Sequence, residues 1–176
     1  MKFQVLSALV GALSVTASPL EKRAGTLVGY GAGTTGGAGG QTTVVTSCAA
    51  LTTAVKGTTA KIVRIESILS GCGIIDVGSN TSIFGKGSNS GLKDGGFRVR
   101  KGTNVIFQNL KLGPAPKKGD ILAIDQSTKI WVDHVEFTSL GLVGGKDDYV
   151  CTVYPFICTQ DSNHFLGWTS RYHTCR

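Results

Sequence analysis

Long apolar runs are missing from this 176-residue chain once the first fifteen positions are passed, so no stretch reaches the length that spans a bilayer. Basic runs are missing too, and no arginine cluster is interleaved with aromatics, so a nucleic-acid surface is not supported. There is no CxxC and no Cys/His spacing of the kind that holds zinc. Long helical periodicity is absent, which argues against folds built from strand–helix–strand units.

What is present begins with a leader. Lys2 precedes a short, mostly apolar run from Phe3 to Val15, and Val15-Thr16-Ala17 places small residues at the cleavage positions. Residues 1–17 read as a signal peptide, and 18–23 as a pro-segment ending in the dibasic pair Lys22-Arg23. The expected location is secreted and extracellular. Removing 1–23 takes Lys2, Lys22, Arg23 and Glu21 away, so 18 basic and 11 acidic residues become 15 and 10. That modest positive balance suits a polyanionic partner. Secretion permits disulfides. Of the five cysteines (48, 72, 151, 158 and 175), Cys48 and Cys72 lie in the well-patterned part and form the candidate pair. Asn80-Thr81-Ser82 is a glycosylation sequon, which makes Asn80 a candidate acceptor.

Gly31-Ala-Gly33-Thr-Thr-Gly36 formally matches a dinucleotide fingerprint, but no strand precedes it and no crossover unit follows, so it reads as a turn-rich loop. Residues 47–56 read as one short helix, with Ser47 as N-cap and Leu51 and Val55 on one face. From Lys61 to Leu142 the chain changes to short β-rich runs that repeat. Phe97-x-Val99, Thr103, Val105, Phe107, Leu110 and Leu112 recur 25 residues later as Leu122-x-Ile124, Thr128, Ile130, Val132, Val135 and Phe137. Stepping back 22 residues from Val99, Thr103 and Val105 gives Val77, Thr81 and Ile83. Repetition at that period, built from strands and polar turns, predicts an all-β fold: a right-handed parallel β-helix whose coils stack into one continuous core. The 47–56 helix is placed to cover its N-terminal end.

Several stretches resemble a known family. Gly29-Tyr30 with residues 34–40, Ser79-Asn-Thr-Ser-Ile-Phe-Gly85, Phe107-Gln-Asn-Leu110, Gly119-Asp120, Lys129-Ile-Trp-Val-Asp-His134 and Gly144-Gly-Lys-Asp-Asp-Tyr149 resemble, in order, the motifs of fungal pectate lyases of polysaccharide lyase family 1. The match covers about residues 24–149. The resemblance implies a polysaccharide lyase acting on polygalacturonate in pectin. In that chemistry the C5 proton α to the C6 carboxylate leaves to an arginine, and calcium steadies the charge. It implies that Asp120 is a calcium ligand. The family's second and third calcium-binding Asp would fall at positions 150 and 154, where this chain has Val150 and Tyr154. The catalytic arginine lies beyond the match, so no catalytic residue is assigned.

Asp133 and His134 belong to the family's hallmark motif without an assigned role. The repeat places His134 over Asn109, which favours a polar ladder at a bend over a general base, and Trp131 reads as packing. Residues 150–176 lose the coil pattern and read as a non-family tail, with Val150-Cys151 suiting a fungal splice donor and hence a retained intron. The chain is therefore expected to be a truncated, impaired pectate lyase, poorly soluble or unstable, and a monomer where it dissolves. The alternatives are a non-catalytic pectin-binding β-helix and a pectin lyase.

Overall fold

The computed structural model describes residues 27, 31–87, 89–138, 150–153 and 157–160, the last two segments by their backbone. Among these described residues, ten strands and one helix follow one another. They are β1 (Gln41–Val45), α1 (Cys48–Ala54), β2 (Lys61–Ile65), β3 (Ile68–Asp76), β4 (Thr81–Gly85), β5 (Gly91–Arg100), β6 (Thr103–Leu112), β7 (Leu122–Asp125), β8 (Thr128–Phe137), β9 (Val150–Val153) and β10 (Ile157–Gln160). Every pairing among them is parallel. Parallel neighbours cannot be joined by hairpins, so the chain winds through successive coils and forms a β-solenoid of about four turns.

Three faces emerge from the registers. The first stacks β1, β2, β4, the first half of β6, the first half of β8, and β10. The second stacks the start of β3 and of β5 with the ends of β6 and β8. The third stacks the end of β3, the end of β5, β7 and β9.

Alternation decides what is inside. Val63, Ile83, Phe107 and Val132 form one inward row, and Ile75, Phe97 and Leu122 another; all are buried. Phe97 and Phe107 meet across the interior with ring centroids 5.4 Å apart. Each such side chain contributes roughly 1.5–3 kcal/mol by leaving water, and stacking joins the rows into one core.

Corners need residues that tolerate positive φ. Asn109 (φ 55) and His134 (φ 50) turn the chain from the first face to the second, while Asn80 (φ 53), Asn104 (φ 62) and Lys129 (φ 53) precede the first face. Asn and His enter this region more readily than most side chains because a short polar group bonds locally.

The N-terminal end is covered as the pattern predicts. Ser47 Oγ accepts from the Ala50 amide, and Leu51 and Val55 are fully buried. The helix packs on β1, β2 and β3, and a disulfide joins Cys48 to Cys72 on β3. The loop holding the formal dinucleotide fingerprint lies against the first face. A Cβ on Gly36 would meet Ser82 Oγ at 2.2 Å, and one on Gly37 would meet Lys61 O at 1.8 Å. Asn104 Oδ1 accepts from the amides of Thr35 and Gly36 at 2.7 Å each, and its Nδ2 donates to Gly36 O at 3.0 Å and to Asn80 Oδ1 at 2.9 Å. The glycines thus serve close backbone approach.

The 25-residue step holds throughout β5–β8: Phe97 pairs with Leu122, Thr103 with Thr128, and Val105 with Ile130. The 22-residue step is corrected in part. It fits the third face, where Ile75 pairs with Phe97, but on the first face Thr81 pairs with Val105 and Ile83 with Phe107. The later coil takes two more residues to turn between those faces, so one constant step cannot fit both. A second correction concerns the tail. Two segments expected to lack the coil pattern continue it: Val150–Val153 pairs with Leu122–Asp125, and Ile157–Gln160 with Ile130–Asp133. Val150, Thr152 and Ile157 supply the apolar and β-branched residues such strands favour, a signal too short to stand out. The expected signal peptide and pro-segment, Gly29-Tyr30, residues 144–149 and Cys175 lie outside the described residues. Among the described residues no helix is long and apolar enough to cross a membrane.

Candidate functional site

The third face carries Asp120 and an open set of charges. Along it Phe97 and Val99 point inward and are buried, so Arg98 and Arg100 point out. Arg98 meets Asp76, its neighbour one coil below, through two bonds, with Nη2 2.8 Å from Oδ2. Arg100 Nε lies 3.4 Å from Asp125 Oδ2, one coil above. The hydrogen bond from Arg98 holds the Asp76 carboxyl below the usual carboxylate range, and Asp76 raises Arg98 in turn. These four residues were not singled out by motif; their outward places in the Phe97-x-Val99 alternation were the available signal. Lys117, Lys118 and Lys129 are exposed.

Asp120 is half-buried, just before β7. Its backbone rests on a glycine platform: a Cβ on Gly96 would sit 2.1 Å from Asp120 O. The preceding Gly119 (φ 104) crosses so close to Ile74 that its own Cβ would lie 2.9 Å from Ile74 Cδ1. Gly96 is therefore what lets the coil carrying Asp120 lie close against β5.

These residues do not fit a calcium centre. Calcium takes about six to eight oxygen ligands, and among the described residues no group of three or more His, Cys, Asp or Glu side chains could hold a metal ion. The position of the family's second ligand is Val150, which contributes no side-chain oxygen and pairs with Leu122 in the ladder. Tyr154, at the third, lies outside the described residues.

Asp133 and His134 sit elsewhere, at the corner of the first and second faces. Asp133 points outward yet is only 6% exposed. Gln108 Nε2, from the coil below, donates to its Oδ2 at 2.7 Å, and His134 Nδ1 lies 2.6 Å from its Oδ1. The register does place His134 over Asn109, since Gln108 pairs with Asp133 and Leu110 with Val135. The hydrogen bond between coils at this corner, however, runs from Gln108 to Asp133. Trp131 is buried on the outer side of the first face, in register with Ile106. Asn80 is tied up: its Nδ2, the atom a glycan would join, donates to Thr58 O at 2.8 Å.

Comparison with known proteins agrees with this architecture. A pectate lyase family model matches residues 1–148. A probable pectate lyase B of Aspergillus terreus is 40% identical over 117 residues, covering 66% of this chain and 35% of that protein. Pectate lyase B of Colletotrichum gloeosporioides is 40% identical over 123 residues, covering 69% and 37%. Among solved structures, a Bacillus sp. N165 pectate lyase in complex with trigalacturonate superposes with a TM-score of 0.61 at 24% identity, over 68% of this chain and 45% of that one. A pectate lyase bound to a hexasaccharide gives 0.60 at 17% identity, over 77% and 57%. A parallel β-solenoid with this sequence defines a polysaccharide lyase scaffold, and the chain belongs to the pectate lyase family. It spans a little over a third of the length of the curated relatives it matches.

Proposed function

We propose that this is a secreted protein of pectate lyase lineage whose third face meets polygalacturonate, and that the chain as it stands binds this polymer without completing the β-elimination. The family match over residues 1–148 carries the substrate. The outward guanidinium groups of Arg98 and Arg100 supply the matching charge, since arginine suits planar carboxylates. Each is already paired with a carboxylate of its own, so polymer carboxylates must compete with Asp76 and Asp125, which favours weak, salt-sensitive binding. Elimination needs a group that takes the C5 proton and concentrated positive charge at the C6 carboxylate as the proton leaves. Among the described residues, no group of three or more carboxylates, histidines or cysteines gathers near Asp120 to hold a cation that would supply that charge.

The test is an assay of the secreted chain on polygalacturonate, with added calcium and with chelator, following both retention on immobilised polymer and the unsaturated product. Retention that falls with salt, without unsaturated product, is the expected result. Calcium-dependent product formation overturns the loss of activity. Failure of the polymer to retain the chain at low salt overturns the substrate. The same assay on fully methyl-esterified pectin addresses the pectin lyase alternative.

A further inference from the structure

The N-terminal end of the solenoid presents an uncharged edge. Residues 41–55, which hold β1, the following turn and α1, contain no Asp, Glu, Lys, Arg or His. Gln41, Thr42, Thr43 and Val44 are exposed, and Val44, at 55%, is the large hydrophobic side chain left open to solvent among the described residues. Among those residues β1 pairs with β2 alone and ends the sheet. Its register with β2 is unbroken, so no bulge twists the edge away, and the strand carries neither proline nor lysine. An edge without such devices is a template for another strand. The exposed side chains of α1 at the same end are Ala49, Ala50 and Thr53, all small and uncharged.

Backbone direction tells which groups face outward from that edge. Val45 O accepts from the Glu66 amide of the next coil at 3.3 Å, so Val45, and by alternation Thr43 and Gln41, turn their backbone groups towards β2. Thr42 and Val44 therefore present N–H and C=O on the outer edge. A two-fold axis through Thr43 uses all of these groups. It lays β1 antiparallel to the β1 of a second copy, with Thr42 of each copy opposite Val44 of the other. Each such pair exchanges two hydrogen bonds. Thr42 and Val44 are both β-branched and lie on the same side of the strand, so each exposed Val44 gains a cross-strand partner. Because the end is uncharged, two copies of a basic chain meet there with little repulsion.

We propose that the outer edge of β1 is a homodimer interface, at which a second copy of this chain adds its own β1 antiparallel about a two-fold axis at Thr43. The choice of a second copy rests on the self-complementary spacing of Thr42 and Val44 and on the lack of charge. The interface is independent of glycan binding by the third face. A five-residue strand and a seven-residue helix make a small contact, so the dimer is reversible and depends on concentration. The monomer expected from the sequence then describes dilute solution.

The experiment is sedimentation of the secreted chain over a concentration series, at low and at high salt. A monomer–dimer equilibrium that persists at high salt is expected, since no charge pair holds the edge. Val44→Glu sets a carboxylate beside Arg64, its register partner on β2. The monomer then keeps a cross-strand ion pair while the dimer must bury it, so the dissociation constant should rise about tenfold or more. Thr43→Cys tests the register and does not depend on how Val44→Glu folds. Opposed residues of this kind bring their Cα atoms to about 4.5 Å, within disulfide reach. Mild oxidation should therefore link position 43 of the two copies, identified by mass spectrometry of the digest, whereas Thr42→Cys should not link to its own counterpart. A chain that stays monomeric at about 1 mM, a dimer indifferent to a folded Val44→Glu variant, or a 42–42 link in place of 43–43 overturns the proposal. Exchange protection of the Thr42 and Val44 amides in the dilute monomer overturns it as well, because the edge is then occupied by the chain itself.

Discussion

The outer sides of the first and third faces are built on the same parallel ladder, yet they treat polar groups in opposite ways. On the first face Ser82, Trp131 and Asp133 all point outward and are buried, and residues 35–37 are bonded down across it by Asn104 and Ser82. On the third, Asp76 and Arg100 are open to solvent and paired across coils. The inward rows of both faces are the same kind of apolar stack. Stacking thus constrains only every second residue of a strand, and the outward residues are covered by a loop on one face and form ion pairs across coils on the other.

The largest expected effect tests what the two faces share. Phe107 comes from the first face and Phe97 from the third, and both are fully buried. Phe107→Ala should cost about 3–5 kcal/mol by transfer and cavity terms, measured by denaturant unfolding, and should loosen both faces together. A loss confined to the first face, seen by hydrogen exchange, would mean the faces are separate cooperative units.

Next in size is Asn104→Ala. It strips the acceptor from the Thr35 and Gly36 amides and breaks the link to Asn80, so a loss of about 2 kcal/mol is expected. Exchange protection should disappear at Thr35 and Gly36 while the third face keeps its own. Smaller again, Asp133→Asn removes a buried charge but keeps one acceptor for Gln108 and His134. It should cost about 1 kcal/mol, read from the shift in denaturation midpoint at constant slope.

The smallest effect belongs to the third face. Arg98 holds the Asp76 carboxyl below its ordinary value of 3.8 in the folded protein. A depressed folded value contributes stability above the unfolded value, and this contribution is lost as pH falls through the folded one. Because Asp76 is 63% exposed, the pair should be worth well under about 1 kcal/mol. Arg98→Ala should flatten the stability profile below about pH 4 and change little at neutral pH. A large neutral-pH loss would mean that Arg98 packs the face rather than decorating it.

Much of this was legible in the chain. The 25-residue recurrence of Phe97, Val105 and Leu110 as Leu122, Ile130 and Val135 is the stacking register itself, because identical coils must repeat their inward residues. The cap was legible from Ser47, Leu51 and Val55. The earlier step was legible on the third face and misjudged on the first, since turn lengths between the faces differ from coil to coil. β9 and β10 were hidden because four residues are too few to show a period. At the site, Asp120 was marked by motif. The Gly96 platform beneath it, and the partners Asp76 and Asp125 that neutralise the arginines, emerge only when neighbouring coils are laid on one another.

The sequence by itself determined the coil, its inward rows, its cap and its lineage, since each rests on residue type and spacing along one strand. Tertiary structure decided which outward residues meet. Asp133 lies next to His134 in the chain but owes its burial and its second bond to Gln108, 25 residues earlier. Asn104 grips a loop 68 residues away. Such contacts depend on the lengths of turns between faces, and those lengths set the register only once the coils have stacked.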